Sequence, residues 1–247
     1  MLNRSFLYGD GFFETIRKRN GQWTFLSEHL ERATRSARIL GMSWPENWNR
    51  DWLEHILKEN QIANALDSII RLTFYRAGGG TYAPQSNSIE VHLSAREVEP
   101  ANDGIFISEL SLVNISNQLM NLPTSIFADI YRENKKEINA WSELKTTSSL
   151  LFVEASRKSK DLEVDDLIIL NQKGLVCECL SSNIVLLFQG QLFSPSSASG
   201  PVNGSFLSAL KKLIEVKDIN IQPEQLRFMD AILRCNAVRG LQRINLR

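Results

Sequence analysis

Leu167-Ile168-Ile169-Leu170-Asn171-Gln172-Lys173-Gly174-Leu175-Val176-Cys177-Glu178-Cys179-Leu180-Ser181-Ser182-Asn183 is the stretch on which the reading of this chain turns. An apolar run, the polar turn Asn171–Gly174 and a second apolar run spell a β-hairpin. Glu178 is unusual there, a carboxylate on an apolar strand, although an edge position would accommodate it. Ser181-Ser182-Asn183 by itself reads as a turn. Cys177 and Cys179 fit strand alternation better than metal binding. They lack a second ligand pair at suitable spacing, and His29, His55 and His92 lie far away in the sequence. No metal is expected.

Working outward, Ile184–Phe188, Gln189-Gly190 and Gln191–Phe193 form a second hairpin, and Ser194–Gly204 is a Ser/Pro/Gly-rich loop leading into a helix from Ser205 to Ile214. Ala231–Cys235 is a short strand. Upstream, a helix follows Lys145 through Leu150–Ala155. The polar stretch 113–123 lacks clean periodicity and reads as a linker. Before it, Phe12–Arg17 alternates as a strand, Asn20-Gly21 is a hairpin turn, and Trp23–Phe25 is the return strand. Ser27 suits the N-cap of a helix over Glu28–Leu40, with Gly41 as the stop; Leu30, Ala33, Ala37 and Leu40 share its apolar face. A second helix is expected over Trp48–Asn60. Strands are expected at Ile69–Arg76, ended by Gly78-Gly79-Gly80, and near Ile89–Ala95 and Ile105–Leu112. The division is thus an α+β domain over 1–112, a linker over 113–123 and a second domain over 124–247.

The 247 residues are 43% hydrophobic, enough for a sizeable core. The 28 basic and 28 acidic residues cancel, so the basic excess that a nucleic-acid partner demands is missing. Lys135-Lys136, flanked by Glu133 and Glu137, reads as a solvated helix face. No run approaches the roughly 20 apolar residues of a membrane span, and Met1–Arg4 carries no apolar signal segment. Three cysteines suggest no disulfide framework, which points to the cytoplasm.

Singly, the polar candidates are ordinary. Gly9-Asp10-Gly11 is a turn in most proteins, and a lone Lys145 is usually a surface lysine. Their order and spacing are more telling. Gly9-Asp10-Gly11-Phe12-Phe13-Glu14-Thr15, His29-Leu30-Glu31-Arg32, Lys145-Thr146-Thr147, Glu178–Asn183 and Gly200-Pro201-Val202-Asn203-Gly204 together resemble the class IV pyridoxal-phosphate (PLP) enzymes. That family holds branched-chain and D-amino-acid aminotransferases and aminodeoxychorismate lyase. The likeness covers nearly the whole chain.

The resemblance implies the two-domain D-amino-acid aminotransferase-like fold, PLP fold type IV. This has a smaller N-terminal α/β sandwich, a larger β-barrel-like C-terminal domain with helices, and a homodimer whose active site lies between the domains. It also implies PLP as cofactor, with Lys145 as the Schiff-base lysine and catalytic proton carrier and Glu178 as the partner of the pyridine nitrogen. Arg32, Val202, Asn203, Asn236 and Ala237 match the phosphate side, and Ser181 and Ser182 would lie beside the cofactor. Thr15, Arg76 and Arg239 are the candidates for substrate contact, the arginines because they suit carboxylates. The roles of Phe12 and Phe13 stay open. Family members usually carry a further strand ahead of Gly9-Asp10-Gly11, so an edge strand of the first domain is expected to be missing.

Within the family two features favour the lyase. Asn203 stands where transaminases commonly carry threonine followed by arginine, and Asn236-Ala237-Val238-Arg239-Gly240 resembles the Asn-x-x-Arg-Gly pattern of aminodeoxychorismate lyases. The implied reaction converts 4-amino-4-deoxychorismate to 4-aminobenzoate and pyruvate, in folate biosynthesis, through an external aldimine and proton transfer by Lys145. The alternatives are a branched-chain or D-amino-acid aminotransferase and a PLP-binding protein without turnover.

Overall fold

The computed structural model describes residues 3–59, 65–99, 103–122 and 125–247. The chain divides into two compact units, Met1–Pro100 with Leu144–Ser148, and Ala101–Glu143 with Ser149–Arg247. Residues 101–112 therefore go with the second unit, and the segment around Lys145 goes with the first. The sequence predicts a domain end at 112 and a linker over 113–123; Pro123 lies outside the described residues.

The first unit opens with α1 (Arg4–Tyr8), whose Asn3 side chain accepts the Phe6 N–H. β1 (Gly11–Arg19) and β2 (Gln22–Trp23) flank Asn20-Gly21, both at positive φ as a tight hairpin requires. Next come α2 (Leu26–Ile39), α3 (Arg50–Lys58), β3 (Ser68–Arg76) and β4 (Ile89–Glu97). The antiparallel sheet runs β2-β1-β3-β4. Phe12 and Ile16 of β1, with Ile70, Leu72 and Phe74 of β3, pack against Ala33 and Ala37 of α2. The expected α2 face is thus buried, but its N-cap is Phe25, at φ 55, rather than Ser27. Ser27 sits inside the first turn, where its hydroxyl accepts from Arg50. α3 is shorter than the expected 48–60 helix because Asn49, not an earlier residue, caps it through the Trp52 N–H; Asn60 lies outside the described residues.

In the second unit follow α4 (Ile115–Met120), β5 (Ser125–Lys136), α5 (Leu150–Asp161), β6 (Asp166–Asn171), β7 (Val176–Cys179), β8 (Asn183–Phe188) and β9 (Gln191–Pro195). α6 (Ser205–Leu213), β10 (Val216–Ile219), β11 (Ala231–Asn236) and β12 (Gly240–Leu246) complete it. Eight strands run in the order β10-β9-β8-β11-β12-β5-β6-β7. The sheet curls until Val176, opening β7, donates its N–H to Ile221, just past β10 at the other end. Ile168, Val176, Ile184, Leu186 and Ile244 fill the interior of the curl.

Two expectations fail here. Residues 105–112 form no strand: Ile105 makes one bridge to Leu241, and Ile107–Glu109 is a 3-10 turn. Glu109 reaches back to the Phe106 N–H at 2.8 Å, closing a turn where the isoleucines and leucines mimic alternation. Lys135-Lys136 lies on no solvated helix but at the end of β5. Ile126 and Ala128, two apart, point into the core and set a strand period. Lys136 is itself buried.

Candidate functional site

Lys145 owes its place to backbone pairing. β2 covers only the Lys18–Arg19 end of β1. Along the other end, Phe12 bridges Thr146, the Phe13 N–H donates to the Lys145 carbonyl at 2.9 Å, and the Thr147 N–H donates to Gly11 at 2.9 Å. Lys145 is thereby fixed next to Phe13, its Nζ 5.0 Å from the centre of that ring. The Arg71 guanidinium lies 3.5 Å from the same ring centre. Thr15 stands opposite Arg71 in the β1–β3 register, so Phe13, Thr15 and Arg71 share the sheet face turned away from the helices. Arg71 is exposed, and partial desolvation against the sheet depresses its pKa. Sequence reading passed over it because it falls in a run that reads only as a strand.

The opposite face carries a buried charge cluster. Arg32 of α2 grips Glu14 of β1 with Nε to Oε1 at 2.8 Å and Nη2 to Oε2 at 2.5 Å. His29 Nδ1 adds a contact to Oε2 at 2.6 Å. Burial alone would raise the Glu14 pKa, but the Arg32 charge and the hydrogen bonds from His29 and Arg32 outweigh it and hold the carboxyl at about 2. His29 is pushed the other way from its ordinary value: burial lowers its pKa more than the Glu14 contact raises it. Glu14 and His29 stood in the quoted motifs without roles. Their signal was spacing, since position 14 on a strand faces positions 29 and 32 one helical turn apart.

Arg76 is not available as a substrate arginine. Its Nε binds Asp10 at 3.0 Å, Nη1 binds Asn87 and the Gly41 carbonyl, and Nη2 binds the Leu40 carbonyl. Four of its five N–H groups thus tie loops together. Asp10 also pairs with Arg4 at 2.8 Å.

In the second unit Glu178 lies on β7, opposite Ile169, and is 3% exposed. Its Oε1 pairs with Lys136 Nζ, and its Oε2 accepts the Val202 N–H at 3.1 Å. The Asn203 N–H goes to the Glu143 carbonyl at 3.0 Å. The expected phosphate donors at Val202 and Asn203 are therefore committed elsewhere, because this loop turns its N–H groups onto its own unit. The next residue, Gly204, begins α6 with no side-chain cap. Glycine is required there: a Cβ would fall 1.8 Å from the Asn183 Oδ1, and Asn183 holds the Val202 carbonyl at 2.7 Å.

Asn236 is a clamp. Its Nδ2 donates to the Ser182 hydroxyl at 2.9 Å and to the Ser181 carbonyl at 3.1 Å, while its Oδ1 accepts the N–H groups of Val238 and Arg239. With both ends of the amide engaged, its expected contact to the cofactor is replaced by a tie between two loops. Ser182 is buried in this tie, Ser181 is exposed, Ala237 is buried in the turn, and Arg239 is exposed. The three cysteines are buried, with thiol pKa values pushed up mainly by burial. Among the described residues no cluster of metal-ligating side chains occurs, and no helix is long and apolar enough to cross a membrane.

Taken unit by unit, the groups present suit the chemistry of PLP. An amine stands against an aromatic ring, a buried carboxylate suits a protonated pyridine nitrogen, and a glycine-begun helix N-terminus suits a phosphate. Comparison with known proteins agrees. The signature of the amino-transferase class IV family matches residues 11–246. An inferred branched-chain-amino-acid aminotransferase of Methanocaldococcus jannaschii is 25% identical over 93% of this chain and 74% of its own length. In fold, the chain is similar to 4-amino-4-deoxychorismate lyase from Pseudomonas aeruginosa (TM-score 0.75, 21% identity, 99% of this chain and 85% of that one). It is likewise similar to the PLP-bound form of a hypothetical aminotransferase from Mycobacterium tuberculosis (TM-score 0.76, 18% identity, 99% and 84%). The family match spans nearly the whole sequence and shows that the chain belongs to the class IV aminotransferase family of PLP-dependent enzymes.

Proposed function

We propose that this enzyme is a lyase that converts 4-amino-4-deoxychorismate to 4-aminobenzoate and pyruvate. The observation that carries the reading is the built turn at Asn236–Gly240. Its asparagine engages both amide ends and holds an exposed arginine at its tip. The Asn-x-x-Arg-Gly pattern is thus a formed structure and not a chance string, and Arg239 offers a planar cation to a substrate carboxylate.

Bound PLP supplies the sink for the electrons released at the amine-bearing carbon. The chain's own residues do the rest. Lys145 would hold the cofactor through its amine at rest; once the substrate amine has displaced it, the freed amine would take the proton from the ring carbon bearing nitrogen and pass it to the leaving enolpyruvyl group as the C–O bond breaks. The ring becomes aromatic, and protonation of the departing methylene carbon gives pyruvate. Glu178 keeps the pyridine nitrogen protonated. The N-terminus of α6 holds the phosphate; the expected phosphate contact of Arg32 is replaced by its grip on Glu14, on the helix-covered face of the sheet. Arg71, beside Thr15 and Phe13, takes the place of Arg76 as the second carboxylate partner; its stacking on Phe13 fixes the plane of the guanidinium. We also propose that the enzyme works as a cytoplasmic homodimer.

The second reading, a branched-chain-amino-acid aminotransferase, is favoured by the name of the M. jannaschii relative. Supplying aminodeoxychorismate should yield 4-aminobenzoate and pyruvate. Turnover of amino acids with 2-oxoglutarate, and none of aminodeoxychorismate, would overturn the lyase. Borohydride treatment of the holoenzyme should fix the cofactor on Lys145. The same adduct in Lys145→Ala would show the lysine to be misassigned.

A further inference from the structure

Lys136 has no part in the chemistry described so far, yet it is a buried cation. Its side chain is 10% exposed, it pairs with Glu178 Oε1, and its ammonium lies 5.6 Å from the Phe152 ring centre. The register shift between Tyr131 and Lys136 on β5 brings it opposite Asn171 of β6, one strand from Glu178. Beyond this pair, the Asp166–Arg234 ion pair acts on the neighbouring Cys179. β7 contributes the Cys177 and Cys179 thiols, both kept neutral by burial, β6 contributes Asn171 and Ile169, α5 contributes Phe152, and the loop before α6 contributes Val202.

A carboxylate this deep is stable as an anion only with a counter-charge. Lys136 and the Val202 N–H take one lone pair on each oxygen and leave the second pair of each for another donor. We propose that Lys136 is a positioning residue for the cofactor. Its ammonium keeps Glu178 ionised and aimed, so that Glu178 can hold a proton on the pyridine nitrogen. This rests on the assignment of Glu178 to that nitrogen.

The test uses the holoenzyme and reads the visible band of the bound cofactor and the Kd for PLP from pH 6 to 9 in about half-unit steps. Lys136→Met keeps the length of the side chain and removes the charge. Its Glu178 should take up a proton as pH falls, so PLP affinity should drop on the order of tenfold toward the acid end and the band should shift with it. Lys136→Arg should restore the flat wild-type profile. A role in packing alone would weaken stability without changing the pH profile, so a Lys136→Met profile parallel to wild type overturns the proposal. Where Lys136→Met does not fold, the doubly uncharged Lys136→Met/Glu178→Gln is compared with Glu178→Gln. Equal PLP affinity is expected, and a further loss overturns the proposal. Failure of the underlying assignment looks different: Glu178→Gln would then keep the wild-type band and affinity.

Discussion

Glu14, His29 and Arg32 show how much one buried carboxylate can govern. Its pKa lies near 2 in the folded chain against an ordinary 4.5. The unfolded state therefore binds more protons between these values, and stability present above about pH 4.5 is lost as pH falls toward 2. The shift corresponds to about 3 kcal/mol. His29 acts in the same direction from a higher pH. Its folded pKa is below 6.5, so the unfolded chain gains a proton first and stability begins to fall as pH drops through 6.5. Glu14→Gln should lower stability at pH 7 by roughly 3 kcal/mol, since it leaves Arg32 buried without its counter-charge, and should flatten the acid limb of a urea-midpoint-against-pH curve. His29→Gln should remove only the part that starts below 6.5. An acid limb unchanged in Glu14→Gln would show that this cluster does not set the acid stability.

At the scale of elements, the loops of the second unit depend on side-chain ties. Asn236 joins the β7–β8 turn to the β11–β12 turn, and Asp166 supports the former by accepting the Leu180 N–H while pairing with Arg234. Asn236→Ala unties both turns at once and should cost about 1–3 kcal/mol. It should also raise the Kd for PLP, because Ser181 and Ser182 lose their anchor; Asn236→Asp should recover the Val238 and Arg239 contacts alone. Gly204→Ala meets the Asn183 amide, which would have to give up the Val202 carbonyl. Weaker PLP binding together with a lower thermal midpoint, from a loss of about 1–3 kcal/mol, is the expected outcome, measured by cofactor titration and differential scanning. An unaltered PLP Kd in both variants would remove these loops from the cofactor's surroundings. Sequence pattern reads such elements unevenly. The β6–β7 hairpin was legible because its two apolar runs are separated by a turn of fixed composition. β5 was not, because Glu133, Lys135, Lys136 and Glu137 imitate a helix face, and only the pairing to β6 and β12 reveals a strand.

For the molecule as a whole, the sequence suggests two differently patterned halves and singles out Lys145 and Glu178 through their motif spacing. It does not single out their partners. The Lys136–Glu178 pair, the Asn236 clamp and the binding of Arg76 to Asp10 and Asn87 join positions far apart in the chain, where periodicity carries no information. The same long-range packing gives a measurable asymmetry. Trp23, Trp44, Trp48 and Trp52 lie in the first unit, the last three in one aromatic cluster with Phe74, where Trp48 and Trp52 stack at 4.4 Å. Trp141 belongs to the second unit and is 57% exposed. Intrinsic emission therefore reports on the four-stranded sheet and its helices. Trp141→Phe should delete a red-emitting component and leave the emission-monitored urea midpoint within about 0.5 kcal/mol of wild type. Glu14→Gln should move that midpoint by the several-fold larger amount argued above. If Trp141→Phe shifted it as far as Glu14→Gln does, emission would not be a probe of the first unit, and the acid behaviour of Glu14 would have to be followed by another signal.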